Sequence, residues 1–287
     1  MPAYGGQALI EGVLMRGKRY VSAAFRGPDG QIIVQSEPLK GPYTAPLFRL
    51  PFLRGVIGLW DAIGLGTRFL TISANVQAPD EKIEGGSLFA TVGTSLLLAA
   101  ALFFAAPAFL GHLSEQFLGV SAFMGNLIEG IIRLFAVIGY IWAVGKVPEI
   151  GRVFMYHGAE HKTINAFEDG AELTPDSVMR YPLEHPRCGT AFLLVLVVFS
   201  VILFSLLGPL PAVWRILSRI LFLPILAGLA YEYLRFTANH IDNPFIRLLV
   251  APGLLLQKLT TRDPDRGMVE VAITAFTTMK EQEEAAF

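Results

Sequence analysis

The feature that most limits how this chain can fold is a run without charge: from Leu88 to Leu110 no ionisable side chain occurs. A helix needs about 20 mostly apolar residues to cross hydrocarbon, and this run is long enough. Gly125 to Val144, Thr190 to Leu207 and Ile216 to Leu234 meet the same rule. The second carries Glu129 and Arg133 at i and i+4, a spacing that lets them neutralise one another on one helical face. Composition agrees, with 53% of residues hydrophobic and 16% charged, against about 25% charged in soluble domains. The mean hydropathy is +0.52. The expected fold class is therefore mainly α, a polytopic membrane protein with about four transmembrane helices, interfacial amphipathic helices and a small N-terminal β element.

The formal net charge is -1 and no cluster of Lys and Arg occurs, which excludes a nucleic-acid binder. Cys188 is the single cysteine, so no intramolecular disulfide forms. Met1 to Glu37 lacks the basic, apolar, small-residue order of a cleaved signal peptide, so the N-terminus is expected as written. Tyr20 to Arg26 and Gln31 to Gln35 flank Gly27-Pro28-Asp29-Gly30, which predicts a hairpin. Before it, Gly5, Gly6, Gly12 and Gly17 surround Glu11 and Arg16, expected as a structural ion pair.

Pro51 to Ser73 carries Arg54, Asp61 and Arg68 at every seventh position, the polar stripe of a helix lying at the bilayer surface with that stripe toward water or protein. Ala78 to Gly86 is a hydrophilic linker. Phe245 to Leu259 is apolar but broken by Pro252-Gly253, and is expected at the interface. Val269, Ala272, Ile273 and Phe276 give Met268 to Glu284 one apolar helical face. The chain thus divides into an N-terminal β-containing segment (1–50), an interfacial helix and linker (51–87), two spans (88–144), a long loop (145–189), two further spans (190–234) and a C-terminal segment (235–287).

Basic residues set the direction of the spans. The loops Gly111 to Ala122 and Gly208 to Val213 contain no Lys or Arg, whereas the N-terminal segment, the long loop and the tail contain many. Both termini and the long loop are expected in the cytoplasm, with the chain in the cytoplasmic (inner) membrane. Arg215 and Arg219 fall on the opposite side, where snorkelling accommodates them.

The long loop holds Tyr156-His157-Gly158-Ala159-Glu160-His161-Lys162. On a helix, His157 and His161 lie about 40° apart on one face, with Glu160 beside them. Two imidazoles can share one divalent ion, most suitably zinc, and the carboxylate can be a ligand or the base that deprotonates metal-activated water. The same spacing also suits a polar helix whose histidines bond to carbonyls. The loop ends His185-Pro186-Arg187-Cys188-Gly189, where the chain re-enters the membrane. His157, His161, His185 and Cys188 make a reasonable four-ligand zinc set; alternatively Glu232 or His240 completes a three-ligand site with one open position.

The spacing resembles the H-x-x-E-H pattern of inverted zinc peptidases, in which a downstream Glu completes the site, a role that Glu232 takes by that resemblance. Over nearly its whole length the chain resembles the YqhQ-like family, bacterial membrane proteins of unknown function described as predicted metal-dependent enzymes. The resemblance rests on Gly6-Gln7-Ala8-Leu9-Ile10-Glu11-Gly12-Val13-Leu14-Met15-Arg16-Gly17, on the histidine stretch, on His185-Pro186-Arg187-Cys188-Gly189-Thr190, on Ala251-Pro252-Gly253-Leu254 and on Leu259-Thr260-Thr261-Arg262-Asp263-Pro264-Asp265.

The expected function is a membrane-embedded metal-dependent hydrolase acting on a peptide or lipid-linked substrate at the cytoplasmic face. Glu160 is the expected catalytic base, with Lys162 or Arg187 steadying an oxyanion. The competing expectation is an oligomeric transporter or channel, a homo-oligomer whose Glu129, Arg133 and Glu232 line a path. A scaffold with a saturated structural zinc is the third.

Overall fold

The computed structural model describes residues 4–41, 50–80, 85–208 and 210–286. Strands β1 (Gly5–Leu9), β2 (Gly12–Arg16), β3 (Tyr20–Arg26) and β4 (Ile32–Pro38) form one antiparallel sheet in that order. The expected hairpin is β3–β4, pairing Arg26 with Ile32 across a turn in which Gly30 takes φ +85. The glycine-rich stretch before it, unassigned from sequence, is a second hairpin, turning at Ile10-Glu11 with Glu11 at φ 51. That left-handed conformation is uncommon for a residue with a side chain.

Alternation along the strands makes two cores from one sheet. Leu9, Leu14 and Phe25 pack on Leu65 and Phe69 of helix α1 (Leu53–Gln77). On the other face Val13, Met15 and Ala24 meet Tyr156 and Ala159 of α5 (Pro148–Glu168) and Val269, Ala272 and Phe276 of α11 (Arg266–Ala285). The terminal helix is amphipathic as expected, and its apolar face covers the sheet. Packing therefore joins the first, middle and last parts of the chain into one body.

The sevenfold stripe on α1 faces protein. Arg54 pairs with Glu232, Asp61 with Arg16 at 2.7 Å, and Arg68 with Glu37. The expected Glu11–Arg16 pair does not form. Glu11 sits on the hairpin tip, where it accepts from Arg152 at 2.6 Å, and Arg16 lies a full strand away, about 16 Å along the chain.

Four helices are long and apolar enough to cross a membrane: Leu53–Gln77, Gly85–Leu118, Ala122–Val144 and Gly189–Leu206. A bent pair, Val213–Leu221 and Leu223–Asn239, is a candidate fifth, with 44° between its halves. The expected span Ile216 to Leu234 is thus two helices, α8 (Ala212–Leu221) and α9 (Leu223–Asn239). Pro224 lies in the first turn of α9, where its missing N–H leaves no helical bond unmade. Gly85–Leu118 comprises α2 (Gly85–Ala100), a π-helical turn (Ala101–Ala105) and α3 (Ala106–Leu118); Ala122–Val144 is α4. After the short α6 (Pro175–Val178) comes α7 (Gly189–Leu206). Helix α10 (Pro244–Gln257) runs through Pro252 rather than breaking there. Gly253 lets α7 approach, since a Cβ at that position would lie 2.9 Å from the Ala191 Cβ.

Arg215 and Arg219 do not reach for an interface: they are buried, 3% and 1% exposed, around Glu129. Glu129 Oε1 accepts from Arg133 at 2.7 Å and Arg219 at 2.8 Å, and its Oε2 from Arg219 at 2.7 Å and Arg215 at 3.2 Å. Asn126 Oδ1 takes one more donor from each of Arg215 and Arg219, and Ser200 of α7 takes one from Arg133. The Phe103 carbonyl, within the π turn, accepts from Arg133 Nε at 2.8 Å. The expected Glu129–Arg133 pair is present, inside a larger closed network in which one carboxylate serves three guanidinium groups. Glu129→Ala leaves these charges buried without their shared acceptor, which is expected to cost about 3 kcal/mol or more. The check is thermal unfolding in detergent, where an unchanged Tm would show that the network does not hold the helices together.

Candidate metal centre

Helix α5 carries the polar stretch and packs against the sheet and α11. Residues 158–164 are all buried, four of them polar: Glu160, His161, Lys162 and Thr163. Two segments distant in sequence cross it and fix its histidines. The first is Thr260 to Asp263, which passes where α5 has only glycine: a Cβ at Gly151 would lie 2.5 Å from Arg262 Nη1, and one at Gly158 would collide with the Arg262 carbonyl. Arg262 N donates to the Phe154 carbonyl at 3.0 Å and its guanidinium to that of Gly145. This brings the Thr260 carbonyl to within 2.9 Å of His157 Nδ1.

The second is Met179 to His185. Lys162 Nζ donates to the carbonyls of Tyr181 at 2.7 Å and Met179 at 3.1 Å, and Asn165 to those of Pro182 and Glu184. His161 Nδ1 bonds to the Leu183 carbonyl. A carbonyl only accepts, so both imidazoles donate from Nδ1, which leaves Nε2 of each ring for another partner. Outer partners of this kind orient metal-binding histidines.

Cys188 caps the N-terminus of α7, its Sγ accepting from Thr190 N at 3.3 Å. The same sulfur lies 3.3 Å from His157 Nε2. Ligand atoms of His157, His161 and Cys188 all fall within 4.8 Å of one another. In tetrahedral zinc, N and S ligands stand about 3.5 Å apart, so the closest pair already fits and the widest must close by roughly an ångström. The donor set suits a borderline divalent ion.

Glu160 is 5% exposed, and its Oε2 is 3.9 Å from His157 Nε2. Burial pushes the carboxyl up to about 7, against the opposite pulls of His157 and the Gly6 amide that donates to it. Only glycine fits there, since a Cβ at Gly6 would stand 2.8 Å from Glu160 Cγ and 2.6 Å from the Leu14 carbonyl.

His185 does not join the three-ligand group. Its ring is 5.7 Å from that of His161, its Nε2 turns to Glu168 at 3.5 Å and its Nδ1 accepts from Arg187 N at 3.4 Å. Gln257 clamps its backbone at both N–H and carbonyl, 2.9 Å each. Burial lowers the His185 pKa, only partly opposed by Glu168. Burial alone would raise Glu168, but His185 and Arg187 hold it below the usual carboxylate value. Glu232 is elsewhere, paired with Arg54, and His240 Nδ1 donates to the Phe236 carbonyl at 2.8 Å. Neither expected oxyanion donor is free: Lys162 holds two carbonyls and Arg187 holds Glu168. The carbonyls of Thr260 and Leu183, and the amide of Gly6, carry no side-chain signature in the sequence; glycines at 6, 151 and 158 are the sequence's signs of close approach there.

Comparison with known proteins adds kinship without an activity. The chain is 34% identical, over 96% of its own length and 91% of the relative's, to the uncharacterized protein YqhQ of Bacillus subtilis (strain 168). No solved structure matches. A family model described as a protein of unknown function, DUF1385, matches residues 50–282, which include the three ligand candidates and Glu160, and the chain belongs to that family.

Proposed function

We propose that the chain is a metal-dependent hydrolase of the bacterial cytoplasmic membrane, with its metal centre and both termini on the cytoplasmic side. One observation carries this: two imidazoles fixed by carbonyls and one thiol converge beside a buried carboxylate. His157, His161 and Cys188 would hold the ion, and three protein ligands are characteristic of catalytic rather than structural zinc. A divalent metal there supplies Lewis-acid activation of water. Glu160, buried with its Oε2 3.9 Å from His157 Nε2, would accept the proton from that water. Gly6 N–H keeps the carboxylate aimed toward His157 rather than into the sheet.

A second reading draws on the same atoms. Cys188 Sγ against His157 Nε2, with His157 Nδ1 held by a carbonyl, also has the order of a thiol nucleophile, its base and an orienting group. Chelation separates the two: a metal enzyme loses activity with EDTA and regains it with zinc, whereas a thiol enzyme ignores EDTA.

For the hydrolase, purified protein is expected to hold one metal ion per chain by elemental analysis, and His157→Ala with His161→Ala is expected to lose it. Glu160→Gln is expected to keep the metal and lose turnover of a small ester by about a hundredfold or more; unchanged turnover would reject the base assignment. The buried carboxyl also makes a pH prediction for the metal-free protein. Its pKa is raised in the folded chain, so between about 4.5 and about 7 the unfolded chain binds fewer protons and stability falls as pH rises. That fall is bounded by roughly 3 kcal/mol. Glu160→Gln removes it, so at pH 8 the EDTA-treated variant is expected to melt above the EDTA-treated parent, with the gap closing at pH 4.

A further inference from the structure

Helix α10 lies across one end of the apolar bundle instead of running along it. Phe204 of α7 meets Phe222 at the start of α9, and Phe199 meets Tyr233 further on, so α7 and α9 run antiparallel. The start of α7 and the end of α9 therefore share one end of the bundle, and both ends of α10 are tied there. Its N-terminus follows α9 after residues 240–243, with Arg247 Nε donating to the Ile241 carbonyl at 3.0 Å. Its last residue, Gln257, holds the backbone of His185, just before α7, and Thr260 Oγ1 lies 3.0 Å from Thr190 Oγ1 in the first turn of α7. The 14 residues of α10 rise about 21 Å, less than a hydrocarbon layer of about 30 Å.

The faces of α10 differ. Ile246, Val250, Gly253 and Gln257 are buried, and the helix packs on α7 and α9. Phe245, Leu248, Leu249, Pro252 and Leu255 are exposed and fall within a sector of about 120°, in which every residue is apolar. Arg247 and Lys258 are also exposed. They stand eleven positions apart, close to three turns, so both cations emerge on one flank of the apolar sector. No acid occurs between them; the nearest in sequence are Asp242, before the helix, and Asp263, which pairs with Lys162 at 3.5 Å.

We propose that α10 is an in-plane membrane helix that binds an anionic phospholipid bilayer: the apolar sector enters the acyl boundary, and Arg247 and Lys258 hold phosphate groups of the same leaflet. An apolar face bordered by Lys and Arg is the pattern of helices that lie in the interface. Hydrocarbon is at hand because α7, on which α10 packs, is long and apolar enough to cross a membrane. The chain runs on from α10 into Thr260, whose carbonyl fixes His157, so headgroup level lies a few residues from the metal centre. The proposal rests on the membrane part of the reading above and not on hydrolysis.

The test uses full-length protein in vesicles of phosphatidylcholine and phosphatidylglycerol. Trp60, Trp142 and Trp214 are replaced by Phe, and Leu248→Trp supplies the one reporter. Nitroxide lipids labelled near the headgroup are expected to quench it about twofold more than lipids labelled near the chain end, with iodide in the water ineffective. Strong iodide quenching places the face in water, quenching greatest at the chain ends places it across the bilayer, and protection from both quenchers means that protein covers it; each overturns the proposal. For the phosphates, native mass spectrometry of the parent is expected to show retained phosphatidylglycerol, and Arg247→Gln with Lys258→Gln to retain about tenfold less at unchanged Tm and zinc content. Equal retention overturns the anionic-lipid assignment. This second measurement uses a different variant and decides alone if the reporter does not fold. Release of the chain from membranes by alkaline carbonate overturns the membrane reading and the proposal with it, whereas absence of turnover overturns only the hydrolase.

Discussion

A carboxylate leaves water only where something replaces the water, and the core of this molecule is arranged around that demand at Glu160. Its replacements are few: one amide from Gly6 and the edge of one imidazole. They do not fully stabilise the charge, which is why the group titrates near neutrality instead of with ordinary carboxylates. Gly6 must lack a side chain for this contact to exist, β1 must lie under α5, and α11 must press the sheet against that helix. The N-terminal hairpins and the C-terminal helix are thereby bound to the chemistry of a loop that lies between two apolar helices.

The demand of the imidazoles is simpler. Each needs its Nδ1 proton placed so that Nε2 is free, and each finds a carbonyl on a different passing segment. The carbonyl partnership that a bland polar helix would show is thus present, but it occupies Nδ1 of each ring and leaves Nε2 for another partner, which for His157 is Cys188. Histidines bonded through Nδ1 and histidines ready for a metal are the same histidines here.

What was legible in the sequence follows from period and spacing. Leu88 to Leu110 announces a helix long and apolar enough to cross a membrane because hydropathy is local, and Arg54, Asp61 and Arg68 announce one helical stripe because seven residues are nearly two turns. His157, Glu160 and His161 read correctly as one cluster for the same reason. Partners in space did not read. Sequence spacing pairs Glu11 with Arg16, five positions on, whereas its cation is Arg152; it groups His185 with the ligands, whereas Gln257 and Glu168 turn it away. Arg215 and Arg219 looked like interfacial residues because charge in an apolar segment usually escapes to water, and only the fold reveals that Glu129 and Asn126 receive them.

That buried network bears on the metal centre through α7. Cys188 caps the first turn of this helix, and about 18 Å further along its axis Ser200 accepts from Arg133, while the Phe204 carbonyl takes Asn126 and its ring lies 4.0 Å from the Arg219 guanidinium. A helix is stiff over that length, so holding its far end in register also holds its cap. The thiol has no other cysteine to anchor it and sits at a chain re-entry, where a loop residue would wander. It is seated on a helix whose opposite end is hydrogen-bonded, through Ser200 and the Phe204 carbonyl, to the ionic network of α4 and α8. The charged network and the metal centre share no residue, but α7 spans both, and the position of the third ligand depends on that helix not sliding.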